Sequence, residues 1–392
     1  MVLSMKETKP HKAIGDHMKK PSFFSDKIDT VLLLTSILAA FIGIFVINSA
    51  TNTMDGHIKY IAVQSVAFVI GIAAMSTVIF FSYKYFEKLR FLILGLGIGL
   101  LILVLTIGKL SNGTQGWIVL GPVTLQPAEI AKICFIITLS VHIARKYDSI
   151  NTIKTFFGLL LHLACYVVPV LLQPDFGTAM VFVVIFAFEL LFAGLRKKYI
   201  ISICAISATI APVVWLFLEE YQKNRIVSLF FPENDPTGSG YHILQSKLAI
   251  GSGMIWGRGY MKGPQTQFGY LPEKQTDFIY SVIGEEFGFV GALLVAILLL
   301  VIVYRCFDNA RSCSHDPFGE MICVGVGSMI FFHILENIGM CLGFMPITGI
   351  PLPFISYGGS NLVTCFIAIG LVQNVRMRRR ATKFDFDIET LE

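Results

Sequence analysis

Three places in this sequence set ionisable residues in otherwise apolar surroundings, and each could carry chemistry. Glu129 and Lys132 stand three apart in QPAEIAK, the spacing that puts two side chains on one face of a helix. They make either a neutralising ion pair or the wall of a polar cavity reached from one membrane face. Asp175 lies in QPDFGTA between Pro174 and Gly177, helix breakers that suggest an interrupted helix whose freed backbone lines a cavity. Asp277, Ser281 and Glu285 recur every fourth residue, one stripe of a helix. Thr276 is the expected N-cap there, with Asp277 in the first turn. Asp277 is then either a helix-dipole partner or a carboxylate held at the membrane surface, and its pKa is lowered by the helix end or raised by burial. His333 and Glu336 are also three apart and resemble half of a metal site, but the rest of a metal set is missing. Glu189 is expected to reach the interface from the end of its span.

The elements that must position these residues are membrane helices. Of 392 residues, 55% are hydrophobic and 15% charged, with a mean hydropathy of +0.71. Soluble domains carry about a quarter charged residues, so a soluble globular protein is excluded, as is a disordered chain. Charge-free runs cover residues 30–54, 60–83, 91–108, 155–174, 199–218, 287–304 and 337–373, and a transmembrane helix needs about 20 apolar residues. Three more spans, about 127–144, 176–194 and 321–341, carry internal charges. With the last long run divided near Pro346 to Pro353, the expectation is an all-α polytopic membrane protein of ten transmembrane helices. A cytoplasmic N-terminus puts 22 Lys and Arg inside and 8 outside, as positive-inside topology requires, and both termini are then cytoplasmic. The expected organisation is an N-terminal tail 1–29, a membrane domain 30–376 and a C-terminal tail 377–392. The polar tail and the later spans argue against a cleaved signal peptide. The eight cysteines fall in spans or inside segments, so they are read as small apolar fillers without disulfides.

One outside loop, about 219–276, is large. Residues 238–269 hold eight glycines, a density that lets backbone approach a ligand closely or fold tightly on the membrane surface. Tyr241 to Ile250 is amphipathic and reads as a short interfacial helix. PITGIPLPFISYGGSN, 346–361, cannot form a continuous helix and reads as a re-entrant segment buried in protein. No phosphate-binding GxxxxGK[ST] or dinucleotide-binding GxGxxG follows a strand. Asp385 and Asp387 form a DxD, but it follows the basic run 376–380, a topology determinant that meets anionic lipid.

QPAEIAK (126–132), QPDFGTA (173–179), GSGYHILQSKLAIGSG (238–253), LPEKQTDFI (271–279) and GIPLPFISYGGS (349–360) together resemble the bacterial shape, elongation, division and sporulation family. The loop is closer to the elongation members than to the division members. The resemblance implies a peptidoglycan glycosyltransferase that polymerises lipid II on the outer face of the cytoplasmic (inner) membrane during elongation. It implies a class B penicillin-binding protein and other elongation-complex membrane proteins as partners, with membrane lipids around it and no nucleic acid. Asp277 matches the essential, catalytic aspartate. Glu129, Lys132, Asp175 and Arg225 match family positions of the cavity and loop, with Trp117 and Gln126 beside them. Gly116 stands where the family commonly has Arg, Ala128 where it has Ser, Met254 where it has Gly, and Asn361 where a small residue is common.

On this reading Asp277 is the general base for the acceptor 4-hydroxyl, and Arg225, Lys247, Arg258, Lys274 and Lys132 are the cations that could meet a departing lipid pyrophosphate. Glu129 is also a possible ligand for a divalent cation, magnesium or manganese. No organic cofactor is expected. A lipid II flippase, favoured by the intramembrane charges, and a non-catalytic scaffold that activates the cross-linking partner are the alternatives.

Overall fold

The computed structural model describes residues 27–111, 114–120, 123–196, 199, 209, 220–236 and 238–389. The expected span 199–218 and Cys204 lie outside the described residues, apart from Tyr199 and Thr209. The fold is mostly helical. In chain order it runs α1 (Thr30–Thr51), α2 (His57–Phe80), α3 (Lys84–Lys88), α4 (Arg90–Ile107), β1 (Lys109–Ser111), β2 (Thr114–Leu120), β3 (Val123–Leu125), α5 (Pro127–Arg145), α6 (Ile153–Leu171) and α7 (Phe176–Phe192). It continues through α8 (Glu220–Phe230), α9 (Ser239–Gly253), α10 (Pro264–Gln267), α11 (Ile279–Arg311), α12 (Pro317–Leu342) and α13 (Gly359–Glu389). Seven of these helices are long and apolar enough to cross a membrane, so this is a multi-pass membrane protein. The all-α expectation needs one correction. β1, β2 and β3 form an antiparallel sheet in sequence order between α4 and α5, and Thr114–Leu120 has the β-branched and aromatic content that favours a strand.

Burial separates the helices into two kinds. The apolar window of α5 is 83% buried and that of α12 is 78%, against 17% for α4, so α5 and α12 form the centre. The outward faces of α1, α2, α4 and α6 expose Leu34, Phe41, Ile70, Leu92 and Leu161, a surface suited to lipid. Local signals explain several helix starts. Asp29 caps α1 by accepting from the Leu32 N–H at 3.1 Å, and Asp316 caps α12 through Phe318 and Gly319, with Pro317 in the first turn. Asp29 also receives Arg305 at 2.8 Å, Asn309 at 2.8 Å and Arg376 at 3.4 Å, which ties α1 to α11 and α13. Burial opposes its ionisation, but the Leu32 N–H and these partners hold its carboxyl below the usual value.

α11 begins at Ile279 rather than at the apolar run, and it breaks at Gly288, where φ is 66° and ψ −166°. The large loop fills that break. Arg258 and Gly259 N–H groups donate to the Glu285 and Glu286 carbonyls, both at 2.9 Å, while Phe289 and Val290 donate to Met254 at 2.8 Å and Ile255 at 3.2 Å. Backbone freed by the kink is thus paired by protein, as a low-dielectric setting requires. The pairing demands glycine. A Cβ on Gly257, at φ +83°, would fall 2.2 Å from the Glu286 oxygen, and one on Gly253 would fall 1.9 Å from the Gly284 oxygen. The expected helix within the loop is present as α9, packed on α11 and α12 through buried Ile243, Ser246 and Ala249.

Gly253 and Gly251 make a matched test, because both lie in α9 but a Cβ on Gly251 meets nothing within 4 Å. Gly253→Ala should destabilise the protein by about 1–3 kcal/mol through overpacking, and Gly251→Ala should stabilise α9 by about 0.5–1 kcal/mol. Thermal unfolding in detergent separates the two, and equal effects would mean that the loop does not seat on α11 in this way.

Candidate functional site

Asp277 is set by its backbone. Three successive carbonyls are held from the other side of the site: Gln275 accepts from the Tyr357 N–H at 2.9 Å, Thr276 from Ser356 Oγ at 2.6 Å, and Asp277 from Asn337 Nδ2 at 2.8 Å and Cys341 Sγ at 3.7 Å. Asn337 also donates to Ile350 at 2.9 Å, so the irregular stretch 346–358 and α12 together fix the end of the large loop. Thr276 is not the N-cap. The cap of α11 is Phe278, without a side-chain bond, and Thr276 Oγ1 lies 3.2 Å from Glu273 Oε2 and 3.3 Å from the Glu273 carbonyl. Asp277 therefore stands ahead of the helix rather than in its first turn.

The Asp277 side chain is half-buried, and its Oδ2 lies 3.5 Å from where a Cβ on Gly349 would sit. Burial pushes its pKa up to about 7, Glu273 adds to the rise, and Arg225 and the Thr276 hydroxyl oppose it. Of the two opposed influences expected at this position, burial wins. His242 belongs to the same surroundings. Its ring lies 5.9 Å from that of Phe278, and burial lowers its pKa while Glu273 and Asp235 act the other way and Arg225 with the burial. Glu273 and His242 were not singled out from sequence, although both lie inside the quoted motifs. An acid four residues before Asp277 was the available signal.

The rest of the expected stripe is structural. Ser281 Oγ lies 2.6 Å from Ser246 Oγ, which meets the Cys341 carbonyl at 2.6 Å. Glu285 turns away to accept from Gln265 N at 2.7 Å, Thr266 N at 2.9 Å and Thr266 Oγ1 at 2.6 Å. Lys274 is buried, donating to the Thr266 carbonyl at 2.5 Å and Thr53 Oγ1 at 3.2 Å. Burial lowers its pKa against the pull of Glu285 and Glu286, and its hydrogen bonds tie the loop to the α1–α2 connection. Lys247 rests its aliphatic chain on Gly343 at the end of α12. Arg258 is exposed, with only its backbone paired to α11.

A second cluster lies at the centre of the bundle. Lys132 Nζ donates to Glu129 Oε1 at 2.9 Å and meets His333 Nε2 at 3.1 Å. An ammonium has no lone pair, so Nε2 accepts and the His333 proton sits on the other nitrogen, next to the Pro351 backbone. Asn361 Nδ2 reaches Glu129 Oε2 at 3.3 Å, and Glu336 accepts from Thr348 at 2.9 Å. Asp175 caps α7 through Thr178 N at 2.9 Å and Thr178 Oγ1 at 2.8 Å, with Gln126 Nε2 at 3.5 Å. Gln126 in turn faces Gly116, beside Trp117, which pairs with Lys109 in the sheet. The stretch 346–358 therefore touches Asp277 on one side and this cluster on the other, without bringing their charges into contact.

Glu129 does not fit a divalent cation, since its two oxygens already face Lys132 and Asn361. Among the described residues no group of three His, Cys, Asp or Glu gathers as a metal set. Glu189 corrects its expectation, because it is fully buried rather than interfacial. Its Oε2 accepts from Ser140 at 3.3 Å, and Oε1 lacks a partner among the described residues. Cys165 is exposed and the other six described cysteines are buried, and none of these seven is in a disulfide. Lys132→Met should cost about 3–5 kcal/mol by leaving Glu129 buried and unpaired, and adding Glu129→Gln should restore part of that. Thermal unfolding of the single and double variants checks it, with strictly additive losses counting against the pair.

The comparisons agree with this architecture. The family model described as "Cell cycle protein", covering FtsW, RodA and SpoVE, matches residues 29–381. The chain is 38% identical over 286 residues to the peptidoglycan glycosyltransferase MrdB of Escherichia coli, covering 72% of this chain and 76% of that one. It is 32% identical over 426 residues to the peptidoglycan glycosyltransferase RodA of Treponema pallidum, covering 90% and 98%. Its fold is similar to the crystal structure of Thermus thermophilus RodA, with a TM-score of 0.67, 27% identity and coverage of 92% and 99%. It is also similar to a chain from work on a peptidoglycan synthase complex that coordinates polymerization and crosslinking, with a TM-score of 0.77, 28% identity and coverage of 90% and 98%. A match that runs from the cap of α1 into α13, and so takes in both polar clusters and the loop between them, makes this chain a member of the FtsW/RodA/SpoVE family.

Proposed function

We propose that this chain is a peptidoglycan glycosyltransferase that extends glycan strands from lipid II at the outer face of the bacterial cytoplasmic membrane, in cell elongation, beside a class B penicillin-binding protein. Nine described helices of the bundle and the apolar run 199–218 make ten spans, with both termini inside and the loop 219–276 outside. The observation that carries the reading is Asp277, a half-buried carboxyl whose pKa burial pushes up to about 7, under a loop that brings Arg225 to it. The relatives named as peptidoglycan glycosyltransferases support the role.

Glycan extension needs a proton removed from the acceptor 4-hydroxyl as that oxygen attacks the donor anomeric carbon. The carbon's bond to the pyrophosphate oxygen then breaks, and the lipid pyrophosphate leaves. A base with a pKa near the working pH combines a useful ionised fraction with real basicity, which describes Asp277. Arg225 is the cation nearest in effect to Asp277, with Lys247 and Arg258 on the same loop, and these would meet the leaving pyrophosphate. Lys274 holds the loop in place. No step is routed through a metal, and magnesium or manganese enters as an assay variable. The central Glu129–Lys132 cluster favours a flippase as the second reading, but its charges pair with each other.

The test uses the chain with its penicillin-binding protein, the transpeptidase blocked, lipid II supplied, and glycan polymer read on a gel with and without magnesium. Asp277→Asn should cut polymer formation by about 100-fold or more. The wild-type rate should rise about tenfold per pH unit below pH 7 and level above it. The folded protein holds this proton to a higher pH than the unfolded chain, so ionised Asp277 weakens the fold at pH 8. Asp277→Asn should therefore unfold at the same or a higher temperature there. Full polymerisation by a folded Asp277→Asn protein would remove the assignment, and lipid II movement without polymer would favour the flippase.

A further inference from the structure

A third polar group lies at the far end of α5 from Glu129. α4, α5 and α6 enclose a groove of about 440 Å³ lined by Arg90, His142, Arg145, Phe91, Leu161 and Cys165 among others. Arg90 begins α4 and Arg145 ends α5, so the cations sit at the membrane boundary. Phe91 and Leu161 continue the groove along outward, exposed apolar faces. Glu87 is the acid that faces them: it accepts from Arg145 Nη2 at 3.1 Å, and its carbonyl from Arg90 Nη1 at 3.3 Å. Each guanidinium has five N–H donors, so both keep donors beyond these bonds.

The histidines are oriented by a chain of hydrogen bonds. Thr138 Oγ1 gives its one proton to the carbonyl of Cys134 at 2.8 Å or Phe135 at 3.3 Å. Toward His162 Nε2, at 3.0 Å, it can then only accept. A neutral His162 so protonated has its lone pair on Nδ1, which lies 3.2 Å from His142 Nδ1. In that arrangement His142 donates from Nδ1 and its Nε2 is left as an acceptor. That nitrogen lies 3.9 Å from where a Cβ on Gly158, another groove residue, would sit. The groove thus offers two guanidinium groups for a phosphate, one acceptor for a hydroxyl and an apolar trough for a chain.

We infer that this groove binds an anionic phospholipid with a hydroxylated headgroup, of the phosphatidylglycerol type, its phosphate on Arg90 and Arg145, its hydroxyl on His142 and an acyl chain between Phe91 and Leu161. A free phosphate would leave the trough unfilled, and a zwitterionic choline headgroup would set a cation against two arginines. The inference rests on the membrane reading of these helices and not on Asp277, so loss of polymerase activity leaves it standing. On the proposed topology the site opens to the inner leaflet.

The full chain in detergent would be titrated with phosphatidylglycerol, phosphatidic acid, phosphatidylcholine and inorganic phosphate by native mass spectrometry. Phosphatidylglycerol should bind at least tenfold tighter than phosphatidylcholine. Arg90→Gln with Arg145→Gln should remove that preference, and His142→Phe should bring phosphatidylglycerol down to the level of phosphatidic acid. Gly158→Leu should block binding by filling the groove, with its charges intact. In the wild-type chain, phosphatidylglycerol should protect exposed Cys165 from maleimide, a readout that needs no variant. Equal binding of phosphatidylcholine, unprotected Cys165, or wild-type binding by folded Gly158→Leu would overturn the inference, as would displacement of the lipid by equimolar inorganic phosphate.

Discussion

Backbone polar groups that leave a helix inside an apolar layer must be paired by other protein groups, because no water is there to do it. The site of this protein is built from two such departures. At Gly288 the helix α11 opens, and residues 254–259 of the large loop pair with both sides of the break. Between α12 and α13 the chain runs irregularly, and its Ser356 and Tyr357, with Asn337 of α12, take up the carbonyls of residues 275–277. The loop is seated by the first departure and its end is fixed by the second. Asp277 lies where the two meet.

That arrangement separates the carboxylates by task. Glu285 is spent on the N–H groups that start α10, Asp175 and Asp316 on helix starts, Asp29 on the shared end of α1, α11 and α13, and Glu129 on Lys132. Each of these groups meets hydrogen-bond donors or opposite charges. Asp277 receives less: burial and Glu273 outweigh Arg225 and Thr276, and the proton is held up to about pH 7. A carboxyl left in that state costs stability when it ionises, and the same property makes it a usable base. The arginine–histidine groove at the other end of α5 is separate from this site, being formed where central α5 meets the outer helices α4 and α6.

Much of this was legible in the residues. Charge-free runs marked the helices, since hydrocarbon excludes charge over a fixed length. Pro346 to Pro353 ruled out helix in the stretch that proved irregular, and the glycines of 238–269 marked close backbone contact, which Gly253 and Gly257 make. The short sheet at 109–125 was missed because its apolar residues add to the hydropathy signal without helical length. Glu189 was misplaced because burial depends on which neighbours pack around a helix, and sequence distance from the span end does not report that.

What the sequence determined by itself is the inventory: a membrane bundle, charged groups expensive enough to need partners, and a loop with glycine where side chains cannot fit. Only the tertiary structure decided which partner each charge found. Spacing puts Asp277 and Glu285 on one stripe, yet contacts with residues 265–266 claim Glu285, and those with 356–357 and 337 hold the Asp277 backbone while leaving its carboxyl to titrate. Helical spacing is a local geometry of a few residues, whereas desolvation and hydrogen bonding at Asp277 are sums over segments far apart in sequence, such as Thr276 and Ser356, and such a sum exists only once the chain has packed.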